Sequence, residues 1–494
     1  MQIKTVPWGH DFHRFSSPRT AERGWVYWLT TINRASLVML SEKKILDPET
    51  VRLLAEAEKY AESQLGNQQD AIEDIMPLEK LLIDKAGQKA TLIHTGRSRQ
   101  DIFATLNQGR LRNSVLDCFA SLNSLRSTLL TIAQNHIDTY IPAYTNGVQA
   151  MPISLAFYLW AFLESFERDS ARIHSAWGRI NRCALGTAVL SCSSWPLDRE
   201  LLAELLGFDG PIVNGLDCTQ VSLFDLPIEA AGIMSNIAIR IGVMAQDLAQ
   251  QYSQIHPWLL FDDKSAYGSS AMPQKRNPGI LNKLRGQASD VIGQAHQVTI
   301  RSHNIPLGMY DNKEAFSEDD TSLFANTVYM LELAKETFNR LRVNKERALD
   351  ELNNDWTGTM SLAEALQHEF GIPFRIGHNF ASAIVTEARP NNYIPTNFPF
   401  TDAQRLFRAV SEKLTGTASD LPMTEEEFRI ALSPAHACAI SKGLGAPNAE
   451  SVRNGLQDCA NKLDADITWV KDRYAQLDQA EKALNEKFEN LSAS

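Results

Sequence analysis

Three apolar stripes limit what this chain can fold into. Leu111, Val115, Cys118, Leu122, Leu125, Leu129, Ile132 and His136 recur at alternating steps of four and three, with no Gly or Pro among them. That spacing keeps side chains on one helix face for about seven turns. A second stripe runs Leu226, Ala230, Ile233, Ile237, Ile241, Met244 and Leu248, and a third runs Leu284, Ala288, Val291, Ala295 and Val298. Period-two alternation is scarce, so strands should be few. A long helix with an apolar seam needs another helix to bury it. The expectation is an all-α fold around a central bundle of long helices. Ile228, Ala231, Ile239 and Val243 lie off the second seam. A helix apolar on several faces is buried on several faces, which predicts an oligomer.

The 494 residues suffice for about three domains at roughly 150 residues each, and 44% of them are hydrophobic. Gly, Pro and Ser punctuate residues 183–223; further breaks fall at 256–279 and at 388–400, read as a surface loop of a last domain. Boundaries near 105 and 357 give an N-terminal helical domain (1–105), a central long-helix domain (106–357) and a C-terminal helical domain (358–494). The formal net charge of −11 argues against a nucleic-acid partner. No apolar run is read as reaching transmembrane length, and the first residues, MQIKTVPWGHDFHRF, lack an apolar signal core. The expectation is a cytoplasmic protein with no membrane partner. None of the six cysteines forms a C-x-x-C pair or a cluster with metal spacing. They are read as small buried hydrophobes in a reducing compartment, and no metal site is expected.

Chemistry concentrates in three stretches. GSSAMPQKRNP (residues 268–278) puts two hydroxyls, a cation and a carboxamide into one loop. A serine hydroxyl becomes a usable base when backbone N–H groups and a nearby cation stabilise its alkoxide. Lys275 is such a cation, and Asn277 can donate its amide to a substrate carboxylate. Proton removal next to a carboxylate places extra charge on its oxygens, so donors aimed there favour the transition state. HTGRSRQD (residues 94–101) precedes the first long helix and carries Thr95, Arg97, Ser98 and Arg99 around Gly96. Donors at a helix N-terminus, with arginine forks, suit a carboxylate. IPAYTNGVQAMPIS (residues 141–154) reads as a polar loop leading into a helix at 153–168, with Ser154 near the cap.

Together the three resemble a known family. GSSAMPQKRNP resembles the signature of the fumarase/aspartase superfamily, and HTGRSRQD resembles the HTGRSRND run of its argininosuccinate lyase branch. Further matches are Pro196-Leu-Asp-Arg199, Leu205-Leu-Gly-Phe208, Asn214-Gly-Leu-Asp217, Gly371-Ile-Pro-Phe-Arg375 and Leu432-Ser-Pro-Ala-His436. The resemblance spans roughly residues 70–455. It implies a three-domain helical subunit, four of which pool their central helices, with each active site drawing loops from three subunits. It also implies reversible β-elimination of fumarate from an N-substituted aspartate without a cofactor. By position, Ser269 matches the catalytic base. Lys275 and Asn277, with Gln274 beside them, match the groups that hold the carboxylate and the carbanion-like intermediate. Ser98 and Arg99, followed by Gln100, match the fumarate-end binders. Thr145 matches the threonine beside the leaving nitrogen, with Asn146 next to it.

The departures are as informative. The family's His after that threonine is Asn146 here, and its Glu five residues after the motif's Asn is Asn282. An Asn–Asn pair can hydrogen-bond but cannot shuttle a proton near neutral pH. Gln100 replaces an Asn, Val148 and Met151 replace glutamines, and Met76 replaces the His of a Glu-Asp-Ile-His run. The Gln and Lys after the family's Leu-Pro-x-x-Tyr run are not matched after Ile305-Pro306. The first ~65 residues match poorly; WGHDF stands where the family has WGGRF. The proton-abstracting loop is intact, while the groups around the leaving amine are thinned and partly apolar. Such changes track the ligand. The reading is a carbon–nitrogen lyase acting on an N-substituted aspartate other than argininosuccinate, with Thr145, His94, His303 or Tyr310 as the acid. The alternatives are an authentic argininosuccinate lyase, a catalytically inactive structural oligomer, and a C–O or nitrosuccinate-type lyase.

Overall fold

The computed structural model describes residues 23–66, 72, 74–262, 265–308 and 311–493. Helices α1 (Trp25–Glu42), α2 (Pro48–Leu65) and α3 (Ile75–Ala86) and a 3-10 segment (Gly87–His94) lead into α4 (Arg99–Gln134). A hairpin of β1 (Tyr140–Thr145) and β2 (Val148–Ser154) follows, then α5 (Leu155–Ile180), α6 (Arg199–Leu205), a π-helical turn (Asp217–Val221) and α7 (Ser222–Tyr252). Short strands β3 (Leu259–Phe261), β4 (Tyr267–Gly268) and β5 (Arg276–Asn277) separate α7 from α8 (Gly279–Ser302). Next come α9 (Asp311–Asn339), β6 (Leu341–Val343) and α10 (Lys345–Asn353). The chain ends with α11 (Thr359–Phe370), α12 (Phe374–Ala388), α13 (Phe400–Thr415), α14 (Glu425–Ala431), α15 (Pro434–Ile440) and α16 (Ala449–Ala493). The strands form three antiparallel pairs, β1–β2, β3–β6 and β4–β5.

All three stripes lie on helices. The second and third are buried throughout, on α7 and α8, and the first is buried from Leu111 to Leu129 on α4. His136 falls outside the first stripe, because α4 is capped at Asn135 and the His136 ring turns to Thr139 Oγ1, 2.9 Å away. Off the second seam, Ala231 is buried and Ile228 packs on the core, while Ile239 and Val243 are exposed. Helix α5 is longer than expected, since its seam of Leu159, Leu163 and Phe166 continues through Ile173, Trp177 and Ile180. Ser154 caps it as expected, accepting from Phe157 N at 3.0 Å.

The central core joins α4, α5, α7, α8 and α9 with the first half of α16. A second core gathers α1–α3, the start of α4, α6 and the far end of α16 through Leu484 and Phe488. A third holds α11–α14. The last helix therefore leaves the third core and runs along the other two. Three expectations are corrected. Segment 388–400 is not wholly surface, because Phe398 is fully buried against Trp356 and Tyr393. Cys192 is exposed, while the other five cysteines are buried. One helical stretch, Asp217–Tyr252, is long and apolar enough to cross a membrane by length and composition; here that apolar length packs against α5, α8 and α9.

Candidate active site

The HTGRSRQD loop is built from the helix end outward. Ser98 caps α4: its Oγ accepts from Gln100 N at 3.0 Å, while Asp101 Oδ1 accepts from Ser98 N at 2.7 Å. Capping uses a lone pair, so the Ser98 O–H is still able to donate to an anion. Asp101 Oδ2 also accepts from Gly186 N (2.9 Å) and Ala188 N (3.1 Å), tying segment 183–198 to the loop. Burial pushes its carboxyl up to about 6, against the pull of those three N–H groups and Arg97. Arg99 is exposed and pairs with Asp74 at 2.9 Å. Gln100 Oε1 accepts from Gln220 Nε2 at 3.3 Å, and Gln220 Oε1 accepts from Gly308 N at 2.8 Å.

Two members of this loop do not face a ligand. Arg97 is buried and donates to Ser36 Oγ at 2.7 Å and to Asn33 Oδ1. It braces α1 rather than serving an anion site. His94 Nε2 lies 2.8 Å from Glu79 Oε2, but burial, helped by the Arg97 charge, pushes its ring down to about 3. Burial and the Arg97 charge thus disfavour the protonated ring, while the Glu79 carboxylate beside it favours that form.

Asn33 passes the brace on, donating from Nδ2 to Glu58 Oε2 at 3.0 Å. Complete burial pushes the Glu58 carboxyl from 4.5 up to about 8. Its folded pKa thus lies above its unfolded value, so the native state binds the extra proton between them. Stability contributed by this proton is present below about pH 4.5 and is lost as pH rises to about 8. Glu58→Gln, which keeps the shape without the charge, should flatten that decline. Urea unfolding of both proteins across this range should show their free-energy difference moving steadily in favour of glutamine. Parallel curves would mean that Glu58 is ionised in the fold.

The second stretch is a hairpin, not a loop. Asn146 (φ 50°) and Gly147 (φ 76°) form its turn, the conformation that a two-residue Asn-Gly connection adopts. Thr145 and Asn146 sit exposed at the tip, and Val148, which pairs with Thr145, is 64% exposed. Gln149 Nε2 donates to Glu351 Oε1 at 2.9 Å, fastening the hairpin to α10. Tyr144 OH donates to Gln251 Oε1 at 3.3 Å, fastening it to α7.

The third stretch stands on a two-residue ribbon pairing Tyr267 with Asn277 and Gly268 with Arg276. Asn277 Nδ2 donates to Tyr267 O at 3.1 Å, and Tyr252 OH donates to Arg276 O at 3.2 Å. Asn277 therefore ties the base of its own loop, with one amide hydrogen committed. Ser269 Oγ accepts from Ala271 N at 3.2 Å and from Met272 N at 3.1 Å. Two N–H dipoles aimed at one hydroxyl oxygen stabilise negative charge there. Gln274 and Lys275 are exposed beyond it, and Lys275 makes no ion pair among the described residues. Asn282 is exposed on α8, and His303 is that helix's C-cap, exposed. Tyr310, Glu73 and the WGHDF segment lie outside the described residues.

One chain does not bring these groups together. Gln220, in the π-helical turn that leads into α7, reaches both Gln100 and Gly308, so the Ser98 loop shares an end with the segment after α8. Tyr144–Gln251 and Tyr252–Arg276 place the hairpin and the Ser269 loop at the other end. Helix α7 has 31 residues, so the two ends stand about 46 Å apart. Sequence reasoning missed Gln220 altogether. Its signal is conformational, a π-helical turn, of the kind frequent at functional sites.

Known proteins share this sequence and this fold. Residues 55–293 match the Lyase family. The argininosuccinate lyase of Alteromonas mediterranea is 30% identical over 393 residues, covering 79% of this chain and 83% of the relative. That of Methanospirillum hungatei is 28% identical over 473 residues, covering 94% and 93%. The chain belongs to the argininosuccinate lyase branch of the fumarase/aspartase superfamily. A solved structure of an EDDS lyase variant with bound fumarate shares the fold of this lyase, at a TM-score of 0.84 and 24% identity over 98% of this chain and 95% of that one. The class II fumarase of Schistosoma mansoni gives a TM-score of 0.61 at 16% identity over 86% and 92%. The lyase fold thus accounts for the long helices, and membership for the two motif loops.

Proposed function

We propose that this protein is a carbon–nitrogen lyase that eliminates fumarate from an N-substituted aspartate other than argininosuccinate, without a cofactor, in a homotetramer. The observation that carries the reading is Ser269, whose Oγ takes two backbone N–H donors in a loop that also presents Lys275. As an alkoxide, Ser269 takes the proton from the carbon next to the substrate's β-carboxylate. Charge spreads onto that carboxylate, where Lys275, Gln274 and Asn277 oppose it. The electron pair then forms the carbon–carbon double bond as the carbon–nitrogen bond breaks, and the amine leaves with a proton supplied beside Thr145. Ser98, Arg99 and Gln100 of another subunit hold the other carboxylate. Separation of the two ends by the length of α7 supports a site shared between chains.

The choice of substituent rests on the hairpin. Asn146 and Asn282 offer no titratable pair, and the exposed Val148 and Met151 give the tip an apolar character. A less polar group than guanidinium suits such a surface. The second reading, argininosuccinate itself, is favoured by the identity with the argininosuccinate lyases above. Incubating the protein with fumarate and a panel of amines, and following fumarate loss and product mass, separates them. Adduct formation with a non-guanidine amine is expected. Efficient argininosuccinate cleavage would replace the first reading by the second, and no turnover with any adduct would leave an inactive oligomer.

A further inference from the structure

A cavity of about 200 Å³ lies behind the hairpin, between its base, the start of α5 and the end of α7. Ile141, Ile153 and Leu248 make part of its wall apolar, and the rings of Tyr144, Tyr158 and Trp258 make the rest aromatic. Asp247 is the one charged residue lining it. The Tyr158 hydroxyl is sealed from solvent beside the Asp247 carboxylate. Gln251 Oε1 already accepts from Tyr144 OH and from Trp258 Nε1, at 3.3 and 3.2 Å. The space thus offers acceptors and aromatic faces, and no lining cation opposes the Asp247 carboxylate.

A carboxylate that faces an aromatic and apolar wall is costly unless a partner meets its charge, and no lining cation does so here. Water would meet the polar atoms but not the apolar wall. An ammonium head meets both needs at the polar end. It donates N–H to Tyr158 and Asp247, and aromatic faces attract its charge. The apolar wall then takes a short hydrocarbon body. Ile141 to Tyr144 line this cavity in succession, whereas Thr145 stands beyond them at the exposed tip of the hairpin and is not among the lining residues. The cavity is therefore separate from the reacting side of the hairpin, yet its occupant touches the Tyr144–Gln251 link that fastens the hairpin to α7.

We propose that this cavity is a second binding site, for a small primary alkylammonium ion, placed behind the hairpin that carries Thr145 and Asn146. It does not depend on which substrate the reacting centre takes. The probes are isopentylamine, isopentyl alcohol and isovalerate, titrated calorimetrically into the full-length protein without fumarate. The amine is expected to bind once per chain, at least about tenfold more tightly than the alcohol, and isovalerate not at all. Asp247→Asn should weaken the amine about tenfold while leaving the alcohol unchanged, and Tyr158→Phe should weaken it several-fold. Ser269→Ala should bind it as the parent does. Equal affinity for amine and alcohol, or an amine affinity that neither lining variant alters, overturns the proposal. So does amine binding that Ser269→Ala abolishes, because that places the amine at the reacting centre. Amine discrimination is read on the unaltered protein, so the test survives a lining variant that fails to fold.

Discussion

Ser269→Ala should lower kcat by roughly 10³-fold, within the ~10²–10⁴-fold span of a positioned proton-transfer group, while the protein stays folded and assembled. The Oγ oxygen is the loop's only atom held by two backbone N–H groups in the way a developing alkoxide requires. Removing it leaves Ala271 N and Met272 N to water, because both residues are exposed. The structural cost is therefore small, and thermal unfolding should match that of the parent. Dicarboxylate binding should persist, since the donors of that loop and of the Ser98 loop are untouched. Fumarate formation by absorbance, with the substrate that the amine panel identifies, gives the rate. Turnover at the parental rate would assign the base to another residue and leave Ser269 a turn-former.

The readable part of the fold was what repeats. Seams on α4, α7 and α8 were legible because each apolar side chain recurs over many turns, and a run of weak signals outweighs local exceptions. Off-seam residues were less legible, since Ala231 and Ile228 are covered by neighbouring helices while Ile239 and Val243 are not, and one sequence does not say which neighbour lies where. The hairpin was missed because Pro142 and Pro152 blur its alternation and a bulge at Ala143/Tyr144 breaks it, although Asn146-Gly147 was a usable turn signal.

In the site, residue types were legible and their allegiances were not. Arg97 and Arg99 look alike in the sequence, yet Arg97 meets Ser36 and Asn33, 61 and 64 residues earlier, while Arg99 is exposed. His94 looked like a free acid, yet its ring is half-buried between the Glu79 carboxylate and the Arg97 charge. The division between the two ends was nearly visible, because a 36-residue helix separates Ser98 from the hairpin, a span of about 54 Å.

That division makes a second result testable. Arg99→Ala removes a carboxylate-binding guanidinium and should lower activity about 10²-fold, the scale of truncating one partner of a hydrogen-bonded charge pair. Its fold should hold, since the Arg99–Asp74 pair is exposed and worth little. Mixed with Ser269→Ala through joint refolding, two nearly inactive proteins should regain activity. Where a site takes Arg99 from one subunit and Ser269 from another, random assembly gives each site an intact Arg99 in half of cases and an intact Ser269 in half. About a quarter of the sites are then complete, so the mixture should approach about a quarter of parental activity. A chain carrying both substitutions, mixed with the parent, should show no such gain beyond the parent's own share of intact sites. If the site instead closed within one chain, every chain in the first mixture would carry a defect and no recovery could occur. Recovery near a quarter, beside a silent Ser269→Ala homo-oligomer, would place the reacting groups on different subunits.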